Sequence, residues 1–365
     1  MSSFTRREVI KSLALGSGAL IISPNSIFSS TGKTKLGVAL VGLGYYSRDL
    51  LSPALQNTKH CYLAGIVTGT PSKAETWKKQ YNIPDKNIYN SQDFDDIANN
   101  PDIDVVYIVL PPSMHKEYVI RAANAGKHVW CEKPMAMTAQ ECHEMIEACN
   151  KNKRSLAIGY RCQHEPNTQQ YTKLIRSGQL GKIKSITSYA GYFDDRTTHW
   201  KQKKEMGGGA LYDMGVYSIQ GARLGSQLEP IAVFEGNTST TRPEIYKNGL
   251  DETASAKFEF PDGIIAEIKT SFGESFNHLE VVAEKGTLKM EPFSAYEGNR
   301  GSSPMGIINT PYKIPWQQTK QMDDDALSIM QKKPMLVPGE EGLRDIILVE
   351  AIYKSAANNG QRITL

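Results

Sequence analysis

The chain has 365 residues, which is enough for two domains of ordinary size with buried cores. Apolar residues make up 40% and charged residues 22% of it, a composition typical of soluble globular proteins. The formal net charge is +3 without a long basic run, so we expect no nucleic-acid partner. The five cysteines lack metal-ligand spacing, so we expect no metal site and mostly buried free thiols.

The first 32 residues have the character of an export signal. The pair Arg6-Arg7 precedes a moderately apolar stretch, residues 12–22, which is too short to span a bilayer. This pattern predicts a twin-arginine signal peptide and a periplasmic location, with no membrane contact beyond the export machinery. The alternative is a disordered tail in which the two arginines are adjacent by chance.

From Lys35 onward, apolar strands alternate with amphipathic helices. We predict strands over 36–41, 62–67, 105–110, 128–131 and 156–159, and helices over 47–57, 71–82, 114–125 and 138–152. Thr138 and Glu141 have the spacing of a capping box at the start of the last helix. Strand–helix alternation with short loops predicts an α/β Rossmann domain, a doubly wound parallel sheet, over residues 33–160.

The pattern changes after residue 160. Strand-like segments in hairpin order cover 183–193, 230–238, 253–260, 263–272, 277–283 and 286–291. They predict a C-terminal α+β domain over 161–365 with an open-faced, mostly antiparallel sheet and helices on one side. We also predict a helix over 340–357 that returns to pack on the structure, and a long surface loop over 292–316.

A glycine loop, Gly42-Leu43-Gly44-Tyr45-Tyr46-Ser47, joins the first apolar strand to the first helix. In this context the two glycines allow a tight turn and a close approach of the backbone to a pyrophosphate at the helix N-terminus. The loop therefore predicts dinucleotide binding through Gly42 to Tyr46. The alternative, an ordinary strand–helix turn, fits the repeated alternation less well.

The end of the second strand, Thr68-Gly69-Thr70, carries no acidic residue to bind a ribose 2′-hydroxyl. Thr68, Thr70, Ser72 and Lys73 instead offer hydroxyl groups and a positive charge, which suit a 2′-phosphate. We therefore expect NADP, with NAD possible. The competing interpretation of Lys73 is a solvated lysine on a helix surface.

Two further groups of residues suggest chemistry. Glu132-Lys133-Pro134 follows a buried strand at the carboxyl edge of the sheet, and Pro134 is a candidate cis proline. Asp213 and Tyr217 are four residues apart, on one face of a predicted helix, and a nearby lysine would lower the phenol pKa. The alternatives are a helix-entry ion pair at Glu132 and core packing of Tyr217.

Together these motifs resemble the Gfo/Idh/MocA oxidoreductases over nearly the whole chain after Leu36. Within that family, Asp213-Met214-Gly215-Val216-Tyr217 is similar to the glucose–fructose oxidoreductase and aldose oxidoreductase subgroup, where tyrosine replaces the more frequent histidine. The resemblance also rests on 106–108, 125–128, 131–134, 158–162 and 338–342.

The resemblance implies a catalytic set of Lys133, Tyr217 and Asp213 at a cleft between the two domains. Lys133 would orient the sugar C1 hydroxyl, Tyr217 would exchange the proton, and Asp213 would steer the sugar or Tyr217. Arg161 and Trp200 would complete the sugar pocket. The predicted cofactor contacts are Gly42, Leu43, Gly44, Tyr45, Tyr46, Thr68, Lys73, Leu110, His115, Glu132, Lys133 and Arg161. An N-terminal arm over 23–34 would embrace the nucleotide, and the C-terminal sheet would form a homo-oligomer, a dimer or tetramer.

The resulting hypothesis is an exported NADP-dependent sugar oxidoreductase. It would oxidise an aldose to its lactone on tightly bound NADP and return the hydride to a second carbonyl sugar. One alternative is a redox-assisted glycoside hydrolase or lyase of the same superfamily, which causes no net oxidation. The other is a non-catalytic nucleotide-containing sugar-binding protein.

Overall fold

A computed structural model describes residues 33–365, of which 34–365 form one compact unit. The predicted signal peptide lies outside the described residues, as does all but the end of the predicted arm. The α-helices are α1 Ser52–Leu55, α2 Pro71–Tyr81, α3 His115–Asn124, α4 Ala139–Lys151, α5 Pro166–Arg176, α6 Val216–Ser226, α7 Trp316–Gln331 and α8 Gly339–Ala357.

The first sheet is parallel and has six strands in the described chain. They are β1 Leu36–Val41, β2 Cys61–Val67, β3 Ile88–Tyr89, β4 Val105–Ile108, β5 His128–Cys131 and β6 Leu156–Ile158. Every residue of β1 and β4 is buried, as continuous apolar strands covered on both faces should be. The order β3-β2-β1-β4-β5-β6 is that of a doubly wound Rossmann sheet, which confirms the first half of the fold prediction.

The second sheet has nine strands among the described residues, in the order β14-β13-β12-β11-β7-β10-β9-β8-β15. These are β7 Ile183–Gly191, β8 Ala232–Ser239, β9 Thr253–Glu259, β10 Ile265–Ser271, β11 Phe276–Ala283, β12 Gly286–Met290, β13 Gly301–Ser303, β14 Gly306–Ile308 and β15 Ile363–Thr364. Neighbours are antiparallel except β7 and β10. Buried and less buried residues alternate along β9, because one sheet face packs under helices such as α6. The predicted α+β domain is confirmed.

Several elements differ from the sequence-based prediction. The first predicted helix, 47–57, begins as a π-helical turn over Ser47–Leu51. Helices α5 and α7 were not predicted, and β3 is a two-residue edge strand too short to produce a pattern. The segment 292–316 is not wholly a surface loop, because it contains the β13–β14 hairpin and buries Phe293 and Ser294.

Local predictions at the edges of the first sheet hold. Thr138 Oγ1 accepts a hydrogen bond from the Glu141 amide at 3.1 Å, and the Glu141 carboxylate accepts one from the Met137 amide at 3.0 Å. The Lys133–Pro134 peptide bond is cis. Helix α8 returns to pack against α4 and β6.

All five cysteines are buried and unbridged. Between residues 33 and 365, no group of three His, Cys, Asp or Glu side chains is arranged to hold a metal ion. Over the same residues, no helix combines the length and the apolar character needed to cross a bilayer.

Candidate active site

The glycine loop turns tightly where β1 ends. Gly42 has a φ of +90°, and a Cβ atom placed there would lie 2.5 Å from the carbonyl oxygen of Val109. Glycine is therefore required both by the backbone angle and by the available space. The Ser47 hydroxyl donates to the Gly42 carbonyl oxygen at 2.6 Å and holds the turn. A Cβ on Gly44 would meet nothing within 4 Å, so this backbone is open to a ligand.

Lys73 lies beside this loop. Its ammonium donates to the carbonyl oxygen of Leu43 at 3.2 Å. At the end of β2, the Thr68 hydroxyl accepts a hydrogen bond from the Thr70 amide at 3.2 Å. A positive charge thus stands next to the glycine loop, on the side of β2, where a dinucleotide would present its 2′-phosphate.

Glu132 is a buried carboxylate at the carboxyl end of β5. Its Oε1 accepts a hydrogen bond from the Tyr107 hydroxyl at 2.6 Å, and that hydroxyl accepts one from Gln321 Nε2 at 3.1 Å. Burial raises the pKa of Glu132 to about 7, against the Tyr107 hydrogen bond and the charge of Lys133. Its partner is therefore a tyrosine, not the cation of a helix-entry ion pair.

Two lysines share the buried carboxylate of Asp213. Lys133 Nζ lies 2.8 Å from the Asp213 backbone oxygen and 3.4 Å from Oδ1, while Lys201 Nζ lies 2.5 Å from Oδ2. Burial disfavours the charge on Asp213, but the two ammonium groups hold its pKa well below the usual range. With both lysines protonated, this cluster carries one net positive charge, which suits it to bind hydroxyl or alkoxide oxygens.

The two lysines differ in their own pKa values. For Lys133, the neighbouring Tyr217 and Asp213 outweigh burial and raise the pKa above its ordinary value. For Lys201, burial together with the charge of Lys133 lowers the pKa in spite of Asp213. Lys201 is thus the more easily deprotonated of the two.

Tyr217 lies between two cations. Lys133 Nζ is 4.6 Å and Arg161 Cζ is 5.4 Å from the centroid of its ring. The expectation that a lysine lowers the phenol pKa is wrong in its net direction. Burial raises the pKa of Tyr217, and the charges of Arg161 and Lys133 offset this only in part. Tyr217 therefore holds its proton at neutral pH.

Arg161 fastens the segment 294–296 to the site. Its guanidinium donates to the carbonyl oxygens of Ser294 at 2.7 Å and Ala295 at 2.9 Å, and also to Gln317 Oε1. Its Cζ lies 4.3 Å from the ring centroid of Tyr296. That ring is 6.1 Å from the ring of Tyr46, so the second domain reaches the glycine loop here.

His115 connects two loops through its ring. Its Nε2 lies 2.7 Å from the carbonyl oxygen of Leu110, and its Nδ1 lies 3.0 Å from that of Pro134. Both nitrogens face backbone oxygens, so the side chain braces the loops after β4 and β5. The prediction that His115 and Leu110 contact the cofactor remains a prediction.

The other predicted contacts lie nearer solvent. Tyr45 is 59% exposed. Trp200 is partly exposed rather than part of the core, and its ring lies 5.8 Å from Lys201 Nζ. The fold therefore brings together four of the predicted site residues, Lys133, Asp213, Tyr217 and Arg161. Trp200 lies at the edge of this group.

Sequence reasoning missed three members of this site, Lys201, Tyr192 and Tyr296. Tyr192 accepts a hydrogen bond from Lys201 Nζ at 3.0 Å and lies 3.4 Å from Asp213 Oδ2. A single lysine in a loop has no characteristic spacing, so the sequence indicated Lys201 only by its position directly after Trp200. These residues were separated from the recognised motifs along the chain, so only the fold reveals them.

The residues at the sheet edge fit a nicotinamide dinucleotide. The open backbone at Gly44 leaves space for the pyrophosphate, and Lys73 supplies a cation beside it. Lys133 follows β5 at the same edge, and Tyr217 on α6, whose ring centroid lies 4.6 Å from Lys133 Nζ, is near Tyr46. Ligands bind at this carboxyl edge in doubly wound sheets.

Comparison with known proteins gives consistent matches. Residues 36–160 match the oxidoreductase family model GFO_IDH_MocA with its NAD-binding Rossmann fold, and residues 168–289 match the GFO/IDH/MocA C-terminal domain. The crystal structure of an aldose-aldose oxidoreductase from Caulobacter crescentus, complexed with glycerol, is 34% identical in sequence. It superposes with a TM-score of 0.85 over 91% of this chain and 100% of that one.

Two further relatives cover most of the chain. The NADP⁺-dependent D-xylose 1-dehydrogenase of Haloarcula marismortui is 26% identical over 87% of this chain and 90% of its own length. The 2,7-anhydro-N-acetylneuraminate hydratase of Escherichia coli is 28% identical over 80% of this chain and 75% of its own. The predicted family and nicotinamide cofactor are confirmed, and the chain belongs to the GFO/IDH/MocA family of NAD(P)-dependent oxidoreductases.

Proposed function

We propose that this oxidoreductase acts on sugars and oxidises an aldose at C1 to the lactone, with NADP as its cofactor. The observation that carries the proposal is the cluster of Lys133, Asp213 and Tyr217 beside the glycine loop. Relatives named as a D-xylose 1-dehydrogenase and an aldose-aldose oxidoreductase support the sugar CH–OH group as the site of oxidation. Lys73 beside the loop supports NADP over NAD.

In this proposal the protein positions the sugar and manages one proton. Bound nicotinamide supplies the redox chemistry by taking up two electrons as hydride and returning them. The Lys133 ammonium donates a hydrogen bond to the reacting sugar oxygen and stabilises negative charge that develops on it. Asp213 holds Lys133 in place through Oδ1 and its backbone oxygen.

Tyr217 exchanges the proton in both directions. Because its pKa is raised, the phenol is protonated at neutral pH and can donate to a carbonyl oxygen during reduction. During oxidation the phenol would first release its own proton to solvent, and the resulting phenolate, stabilised by the neighbouring charges of Lys133 and Arg161, would then receive the hydroxyl proton. The proton and the hydride therefore leave the same C–OH group and can return to a second carbonyl group.

Replacement of Tyr217 by Phe tests this assignment. We expect turnover of D-glucose or D-xylose to fall by about 10²–10⁴-fold, while bound NADP stays unchanged. Nucleotide stoichiometry is measured after denaturation of gel-filtered protein, which separates loss of chemistry from loss of cofactor. Turnover that survives the substitution contradicts the role of Tyr217.

Retention of the cofactor and export form a second part of the proposal. The pair Arg6-Arg7 supports delivery to the periplasm, where little free nucleotide is available, so we propose that NADP remains bound and is recycled by a second carbonyl sugar. Near-stoichiometric nucleotide in gel-filtered protein, together with turnover of sugar pairs without added NADP, supports this closed cycle. Empty protein contradicts it.

Homo-oligomerisation through the second sheet is proposed as well, and light scattering of the purified protein tests it.

A redox-neutral reaction is the second candidate. The relative named as a hydratase shows that a chain of similar sequence has been assigned a reaction without net oxidation. Product analysis distinguishes the two: a lactone with a reduced partner supports the oxidoreductase, whereas cleaved or hydrated sugar without oxidised product supports the alternative.

A further inference from the structure

The site contains a second ammonium group beside the one that the proposed chemistry uses. Lys201 binds Asp213 Oδ2 at 2.5 Å, and Lys133 approaches Oδ1 of the same carboxylate at 3.4 Å. Since one carboxylate holds both, the two ammonium groups are neighbours and their relative placement is fixed.

Each of these ammonium groups has a hydrogen-bond donor left over. A protonated lysine has three N–H groups. Lys133 uses two of them on Asp213, and Lys201 uses one on Asp213 and one on the Tyr192 hydroxyl at 3.0 Å. Among the described residues no acceptor takes the third N–H of either lysine. The side chains are 12% and 19% exposed, so both remain accessible to a small ligand.

The loop that carries Lys201 is anchored rather than free. Asp194 binds Arg196 through its carboxylate at 2.6 Å, and its backbone oxygen accepts hydrogen bonds from Arg242 at 2.9 Å and Tyr246 at 3.1 Å. Gln202, next to Lys201, also reaches the Asp194 carboxylate at 3.3 Å. The loop can therefore present Lys201 at a defined position.

We propose that Lys201 binds the sugar hydroxyl adjacent to the one that Lys133 holds, so that the site recognises a vicinal diol. For an aldose oxidised at C1, this second group is the C2 hydroxyl. The inference rests on the proposed function, because it takes the reacting hydroxyl to lie at Lys133. It gives Lys201 a specificity role: a substrate without the neighbouring hydroxyl leaves a buried ammonium donor unpaired, which the protein penalises.

The test compares sugars with and without that hydroxyl in the NADP-loaded, full-length protein. D-glucose, D-galactose and D-xylose are each paired with the 2-deoxy sugar, and 3-deoxy-D-glucose controls for a more distant hydroxyl. We expect the wild type to prefer each parent over its 2-deoxy form by about 10- to 100-fold in kcat/KM, as for a hydrogen bond from a charged donor.

The variant Lys201→Met should lose this preference. Its kcat/KM for the parent sugar falls towards that for the 2-deoxy sugar, whereas Lys203→Met, at an exposed lysine two residues away, keeps the wild-type ratio. Lys201→Arg retains a cation with several donors and should restore part of the preference. If Lys201→Met does not fold, Lys201→Gln replaces it, with a reduced ratio expected because the donor is neutral.

Other outcomes contradict either the vicinal-diol inference alone or the proposed function as well. If Lys201→Met slows the parent and 2-deoxy sugars equally, Lys201 only supports Asp213 and the diol inference fails while the proposed function stands. The same holds if the wild type does not discriminate against 2-deoxy sugars. If none of the three parent sugars is oxidised by the wild type, the proposed function fails, and the inference fails with it.

Discussion

Asp325 on α7 gives a sharp prediction about stability and pH. It is 1% exposed, and neither carboxylate oxygen has a hydrogen-bond partner among the described residues. Burial raises its pKa to about 7; His164 opposes this shift and Asp324 adds to it. In the unfolded chain the ordinary pKa of an aspartate is about 3.9.

The sign of the effect follows from proton binding. Between pH 4 and 7 the folded chain binds the proton on Asp325 and the unfolded chain does not, so the free energy of unfolding falls as the pH rises through this range. The favourable contribution of Asp325 to that free energy is complete below the unfolded pKa. It is lost as the pH rises through the folded pKa of about 7. From pH 5 to pH 8 the loss is about two pKa units, or ~3 kcal/mol.

Asp325→Asn removes this titration. An uncharged amide in the same place has its own burial cost, but that cost is the same at both pH values. Urea unfolding at pH 5 and pH 8 should therefore show the variant gaining ~3 kcal/mol relative to the wild type at the higher pH. The matched control is Asp324→Asn on the same helix. The pKa of Asp324 is lowered, because hydrogen bonds from His164 and Lys320 outweigh its burial. Asp324 is therefore ionised in both the folded and the unfolded chain from pH 5 to pH 8, and its wild-type–variant difference should be the same at both pH values. A wild-type–variant difference for Asp325 that is equal at both pH values refutes the reasoning.

Three further predictions concern the site. Gly42→Ala places a Cβ at a positive φ and 2.5 Å from a carbonyl oxygen, so we expect both the melting temperature and the amount of bound NADP to fall. Gly44→Ala places a Cβ in open space, so this variant should bind less nucleotide at an unchanged melting temperature. Asp213→Asn leaves two buried ammonium groups without their carboxylate and should cost about 3–5 kcal/mol at pH 7 by urea unfolding. Because the pKa of Asp213 is lowered, this difference should shrink as the pH falls below ~4; a constant difference contradicts the ion-pair argument. Lys73→Ala should lower the affinity for NADP by about tenfold and leave the affinity for NAD unchanged, as isothermal titration of nucleotide-free protein would show. Equal losses of affinity for the two nucleotides contradict a 2′-phosphate contact.

The periodic parts of the fold were predictable from sequence. Strands β1 and β4 are continuous apolar runs, and the glycine loop follows β1 directly, so the Rossmann domain produces strong local signals. Helix α7 was missed because most of its buried side chains are polar, among them Gln317, Gln321 and Asp325, and a buried polar face has no apolar period.

The site was predictable only where motifs exist. Lys133 and Tyr217 stand in recognisable stretches, but their electrostatics depend on burial, which reversed the expected pKa shift of Tyr217. Lys201 and Tyr296 come from loops and reach the cluster through tertiary contacts alone. Sequence spacing contains no information about such contacts.

The five buried cysteines bear on the proposed export of this chain to an oxidising compartment. Burial raises the pKa of Cys61 and Cys149 to about 12, and the other three thiols are shifted in the same direction. Thiolate, the species that enters disulfide exchange, is thus almost absent from the folded chain, whereas an unfolded chain would expose five competing thiols to random pairing. The thiols of such a chain are protected from disulfide formation only once the chain has folded. In the proposed export route, folding around the nucleotide in the cytoplasm before transport would protect the thiols and load the cofactor in one step.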